Sequence, residues 1–166
     1  MKLAFTALTL CASVVLAMAA EPSQVQSADD SAKVTDLEVQ LLRKNLRDQK
    51  KQLVAANLSL TGDEASSFWP VYGSYTEETI KVNDQRYDII KAYMANYSTM
   101  TDSAAASFIR RWIGVDEAAV KLRVQWIPKF EKVLGEKKAA TFFQIDRRIG
   151  MMQELQISSQ MPLVAQ

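Results

Sequence analysis

Apolar residues recur along this chain at three- and four-residue intervals, which is the signature of helices with one covered face. A first helix is predicted from about Thr35 to Ala56, where Leu37, Leu41, Leu42, Leu46, Leu53 and Val54 make a stripe interrupted by Asn45, Gln49 and Lys50. A second opens at Thr61 and runs to about Tyr97, with Phe68, Tyr72, Tyr75, Ile80, Tyr87, Ile90, Tyr93 and Met94 in step. A third is predicted from about Asp102 to Leu134, turning Ala105, Phe108, Ile109, Trp112, Ile113, Val120, Val124, Ile127 and Val133 inward. A fourth starts near Gly135 and carries Phe142, Ile145, Ile149, Met152 and Leu155. Pro70 and Pro128 each remove an N–H inside a helix and push on the carbonyl four residues back, so both predict kinks. Met161-Pro162-Leu163-Val164 is an apolar tail that Pro162 keeps from helix.

Three of the helix starts share one wording. Leu60-Thr61-Gly62-Asp63-Glu64-Ala65-Ser66-Ser67-Phe68-Trp69, Met100-Thr101-Asp102-Ser103-Ala104-Ala105-Ala106-Ser107-Phe108-Ile109 and Leu134-Gly135-Glu136-Lys137-Lys138-Ala139-Ala140-Thr141-Phe142-Phe143 each place an apolar residue, then Thr or Gly, then Ala four positions on, then Phe with a large neighbour. Thr or Gly suits an N-cap, and Glu64 stands three after Thr61, as a capping box requires. No alternating Val/Ile/Thr pattern competes. The fold class is therefore all-α: four helices in long kinked hairpins. Two helices near 35 residues span about 50 Å, more than a compact globule of this size. The expected particle is elongated, its hairpins wrapping one another or pairing across a homodimer.

The N-terminal segment changes the setting. Lys2, the apolar run Leu3 to Leu16 and the small residues Ala17-Met18-Ala19 read as a signal peptide over residues 1–20, cleaved on export. Residues 21–34, rich in Ser, Gln, Asp and Ala, read as a flexible leader, leaving 35–166 as a single helical domain. Cys11 leaves with the signal, and the remaining chain has neither Cys nor His. That excludes a disulfide framework, a thiolate or imidazole nucleophile and a zinc triad. Without Lys2 the count is 19 basic against 19 acidic residues, so bulk charge and location both argue against nucleic acid. No stable membrane insertion is expected after cleavage.

The surrounding residues carry a family likeness. Asp48-Gln49-Lys50-Lys51, Ala55-Ala56-Asn57, Leu60-Thr61-x-x-Glu64, Phe68-Trp69-Pro70-Val71-Tyr72, Leu134-Gly135-x-x-Lys138 and Pro162-Leu163-Val164 resemble a branch related to the Spy/CpxP-like periplasmic proteins, whose paired motif is Leu-Thr-x-x-Gln. The likeness covers roughly Val34 to Val164, but neither motif keeps its Gln and the second lacks its Thr. It implies an exported, all-helical, often dimeric protein linked to envelope stress. Members include ATP-independent chaperones, a modulator of a stress-sensing kinase and metal-responsive proteins.

Four groups of residues carry candidate chemistry. Arg43, Lys44, Arg47, Lys50 and Lys51 make the first helix locally basic, a candidate surface for unfolded or envelope proteins, against the ordinary alternative of a solvated face. Phe68, Trp69, Tyr72 and Tyr75 offer an apolar lining, but aromatic residues at helical spacing more often form core. Trp112 and Trp126 are read the same way. Met94, Met100, Met151, Met152 and Met161 supply thioethers for a soft metal, although filling core gaps is the commoner use of Met. The carboxylate pairs Asp63/Glu64, Glu77/Glu78 and Asp116/Glu117 project about 100° apart on a helix and do not flank one bond. No catalytic residue, metal site or cofactor is expected. The function expected is non-covalent protein binding by a periplasmic holdase-type chaperone; the alternative is a regulatory module docking on an envelope sensor.

Overall fold

The computed structural model describes residues 36–164. The predicted signal peptide and leader, residues 1–34, lie outside the described residues, as does Thr35. The described chain is helical throughout: α1 (Asp36–Asn57), α2 (Gly62–Asn96), one turn of 3₁₀ helix (Tyr97–Thr99), α3 (Asp102–Leu134) and α4 (Glu136–Gln160), with no strand among the described residues. No helix of this set is long and apolar enough to cross a membrane.

The three repeated phrases do start helices. Thr61 caps α2 with a complete capping box: its hydroxyl accepts from the Glu64 N–H, and the Glu64 carboxylate accepts from the Thr61 N–H at 2.8 Å. Thr101 caps α3, accepting from the Ala104 N–H. At the third start Gly135 closes α3 and opens α4 in a single residue, with φ 74° and ψ 159°. That backbone region is essentially restricted to glycine, and any side chain there costs about 1–3 kcal/mol. The reversal explains why this copy has Gly where the others have Thr. Both Pro70 and Pro128 lie inside helices that continue past them.

α2 and α3 pair antiparallel along their length, marked by Tyr75 with Trp126, Arg86 with Asp116 and Tyr93 with Phe108. α4 folds back on α3, and α1 lies against α4, giving an up-and-down four-helix arrangement. At 35 residues α2 is about 52 Å long, so the arrangement is elongated as expected. The core is concentrated where α2 begins and α3 ends: Phe68, Tyr72, Tyr75, Trp126, Phe130 and Phe142 interlock, with Val54 and Leu58 packed from the α1 side. Phe130 and Phe142 stack at 4.2 Å, and Phe68 meets Phe142 edge-on at 5.6 Å. The aromatic group beside Pro70 is core. At the opposite end Tyr93 stacks on Phe108 at 4.3 Å and donates its hydroxyl to the Pro162 carbonyl at 2.6 Å, which docks the tail.

Two predicted faces need correction. On α3, Ile109, Ile113, Val120, Val124 and Ile127 do not face inward. They remain 37–60% exposed, while Val115, Leu122, Trp126, Phe130 and Leu134 are buried. α3 carries two apolar stripes about 120° apart at 100° per residue, and only one meets α2 and α4. On α1, Leu37, Leu41, Leu42 and Leu53 are 45–69% exposed, and only Val54 of the predicted stripe is buried. Met152 and Leu155 of α4 are likewise exposed, and α2 buries Ile89 in place of Ile90.

Candidate functional site

The reversal of α1 has a chemical cause. Arg43, Arg47, Lys50 and Val54 recur at four, three and four residues and so share one side of the helix. That side faces the bundle. Arg43 forms an ion pair with Asp84 and lies 5.4 Å over the Tyr87 ring, both on α2. Lys50 donates to Asp146 of α4 at 2.5 Å. Lys51 reaches the Trp69 ring at 5.2 Å. Arg47 is half-buried on the same side. Lys44 points outward and pairs with Asp48 one turn on at 2.8 Å, which holds the Asp48 carboxyl below its usual range. The five cations therefore do not line one open surface: α1 is fastened to the bundle largely through them, and its leucines point away.

Asp146 is the centre of this fastening. It is 2% exposed and stands in the apolar row of α4 between Phe142 and Ile149. One carboxylate oxygen takes Lys50; the other accepts from the Arg123 Nε at 3.3 Å and from the Tyr75 hydroxyl at 3.0 Å. One acid thus gathers a side chain from each of the other three helices. Burial and the neighbouring Asp146 charge push the Tyr75 phenol well above its ordinary value, so it stays a donor. A second hub inverts the charges: Arg86 of α2 binds Asp116 of α3 at 2.6 Å, approaches Glu154 of α4 at 3.7 Å and lies 5.5 Å over the Trp112 ring. Trp126 donates its indole N–H to Glu78 at 2.9 Å. In each of the three sequence-adjacent carboxylate pairs one acid is committed to the scaffold or its caps in this way, Glu64 being the third.

The first and third repeated phrases meet in space. Lys138, which stands where the resembled motif has its second Gln, donates to both oxygens of Glu64, which stands at the first, at 2.7 and 2.6 Å. The two helix starts are pinned at the same end of the bundle by this ion pair. The Lys138 bond, then the Thr61 backbone bond, hold the Glu64 carboxyl below its usual range. A depressed carboxyl contributes stability that is fully present above the unfolded pKa, near 4.5, and is lost as the pH falls through the lowered folded value. Glu64→Gln keeps the cap and removes only the charge. Melting curves of the two proteins should differ near neutrality and converge only in acid, once the pH has fallen through the lowered folded value; a gap that stays constant into acid would show that the charge of Glu64 contributes nothing.

What remains exposed is apolar. On the α1–α4 side, Leu46, Gln49, Leu53, Ile149, Met152 and Gln156 line a shallow groove, and Leu42 and Leu155 are exposed on the same two helices. Its rim is amide, not charge, apart from Lys50 at its floor. On α3 the exposed row is entirely β-branched. No set of three or more His, Cys, Asp or Glu converges on a metal position among the described residues. Fold and surface together define a class: an all-α, up-and-down four-helix protein, tied internally by ionic hubs and bearing unpartnered apolar faces. Compared with known proteins, the chain matches no family model, no curated protein and no solved structure.

Proposed function

We propose that this is a periplasmic, stress-related protein-binding protein, a holdase-type chaperone that acts without ATP. The observation that carries the reading is the α1–α4 face. There, Leu53 and Met152 are exposed in a groove rimmed by glutamine, and Leu42 and Leu155 are exposed on the same two helices. Leu and Met have rotatable, unbranched or γ-branched side chains that repack against different sequences, and a neutral amide rim does not select for client charge. An apolar segment of an unfolded chain laid in this groove gains roughly 25 cal/mol per Å² of apolar surface covered. Because the groove is shallow and open, the segment is held and released by mass action. The resemblance noted in the sequence points the same way, and the signal-like N-terminus supports the location. The client contact is assigned to the leucines of α1, since its cations are turned largely to the bundle.

The test is suppression of aggregation by light scattering with several unrelated unfolded clients. The native protein should suppress all of them at near-stoichiometric amounts, and Leu42→Ser/Leu53→Ser/Met152→Ser should lose most of that activity with its helical content intact. Equal suppression by the triple variant would reject the face; binding to one saturable partner alone would favour the regulatory alternative.

A further inference from the structure

A cleft of about 310 Å³ opens between α2 and α3, lined by none of the residues of the ionic hubs or of the α1–α4 groove. Gln85, Asp88 and Ile89 line it from α2; Arg111, Gly114 and Val115 line it from α3. Ile89 and Val115 are 4% and 5% exposed and make an apolar floor, while the three polar side chains stand exposed at the rim. The register set by Arg86 with Asp116 and by Tyr93 with Phe108 puts Gly114 level with Asp88, and Arg111 within one helical turn of that level. Glycine is the poorest helix former after proline, yet Gly114 stands in the middle of a long helix. Close packing does not explain it, because a Cβ at that position would meet nothing within 4 Å. What the missing side chain leaves is the space of the cleft.

The charges at this rim differ from those around them. On α2, Asp84, Arg86 and Lys91 are engaged by Arg43, Asp116 and the Tyr87 ring. On α3, Asp116, Glu117, Lys121 and Arg123 are paired as well. Asp88 and Arg111 form no ion pair with each other or with any described residue; Arg110, the other unpaired cation of this stretch, does not line the cleft. One anion and one cation thus flank a single apolar floor with both charges open. We propose that the cleft binds a free α-amino acid with an aliphatic side chain. The planar fork of Arg111 takes the carboxylate, Asp88 takes the ammonium group, and the aliphatic side chain covers Ile89 and Val115. The Gln85 amide, donor and acceptor at once, serves either end of the ligand. A molecule with only one of the two charges leaves the other rim residue unmatched, and a lone ion pair at an exposed site is weak. Recognition therefore requires both charges together. A cleft of about 310 Å³ is at the small end of ligand sites, which suits a single amino acid better than a peptide. The site is separate from the α1–α4 groove and stands or falls independently of the chaperone reading.

Isothermal titration of the full chain with leucine and with valine should give saturable one-to-one binding, and Tm should rise with the concentration of either. Isocaproate keeps the carboxylate and isoamylamine keeps the ammonium group; each should bind more weakly than leucine by about tenfold or more. Leucylglycine, whose carboxylate lies one residue further off, should be weaker by a similar factor. Arg111→Gln and Asp88→Asn should each lower the affinity for leucine by about tenfold or more. Gly114→Leu should fill the cleft and abolish binding while raising the Tm of the chain measured alone, since leucine is the better helix former. Loss of binding is thereby separated from loss of fold. Absence of saturable binding with both amino acids overturns the proposal. So does binding that survives Gly114→Leu, or isocaproate, isoamylamine or leucylglycine binding as tightly as leucine.

Discussion

Phe142→Ala should remove about 4 kcal/mol of folding stability, a large part of what a domain of this size has. Phe142 is fully buried, and five other rings pack on it: Phe130 at 4.2 Å, Phe143 at 5.0 Å, Phe68 at 5.6 Å, Tyr75 at 5.9 Å and Tyr72 at 6.0 Å. Those partners come from three different helices, so no single side chain relaxes into the space. The loss combines the transfer energy of the ring with a cavity its neighbours cannot fill. Equilibrium urea unfolding measures it directly. A loss below about 1 kcal/mol would mean that the aromatic cluster repacks freely and is not the centre of the core.

Asp146→Ala should have the second largest effect, about 3 kcal/mol, and a different character. The acid is buried, and removing it strands two cations, Lys50 and Arg123, in a partly buried position facing each other, while the Tyr75 hydroxyl loses its acceptor. The penalty is mostly that of the stranded charges, so it should be relieved by neutralising them: Asp146→Leu combined with Lys50→Met and Arg123→Met should recover much of the loss. Thermal unfolding reports it as a fall in Tm of about 10 °C. Amide exchange should further show α1 opening first in Asp146→Ala, because Lys50 is one of α1's principal attachments. Uniform destabilisation of all four helices, with α1 no more exposed than the rest, would overturn the fastening role of Asp146.

Much of this architecture was readable from local chemistry. Thr61, Thr101 and Gly135 begin or separate helices because capping is a short-range matter between a residue and the amides within the next turn. Phe68, Tyr72, Tyr75 and Phe142 are core because rings spaced along one side of a helix have too much apolar area to leave in water. Even Asp146 leaves a trace in the sequence: it is the one acid set within the row formed by Phe142, Ile145 and Ile149, where a charge demands a partner. The trace does not say which partner, and Lys50 is 96 residues away.

The faces were not readable, for a definite reason. Periodicity shows that a helix has an apolar stripe, and α3 has two; which one is covered depends on where α2 and α4 lie. On α1 the leucine row and the basic row are both well formed. A leucine row ordinarily turns inward, but Asp84, Asp146 and the Trp69 and Tyr87 rings draw the basic row to the bundle instead.

The sequence by itself thus determined four helices, their ends, the aromatic centre of the core and the all-α class, since each rests on interactions spanning a few residues. Only the tertiary structure decided that Glu64 meets Lys138, that one buried aspartate gathers all four helices, and that leucines on α1 and β-branched residues on α3 are left facing outward. Those outcomes follow from which distant charges and rings come within reach of one another once the helices pack, a quantity no local pattern contains.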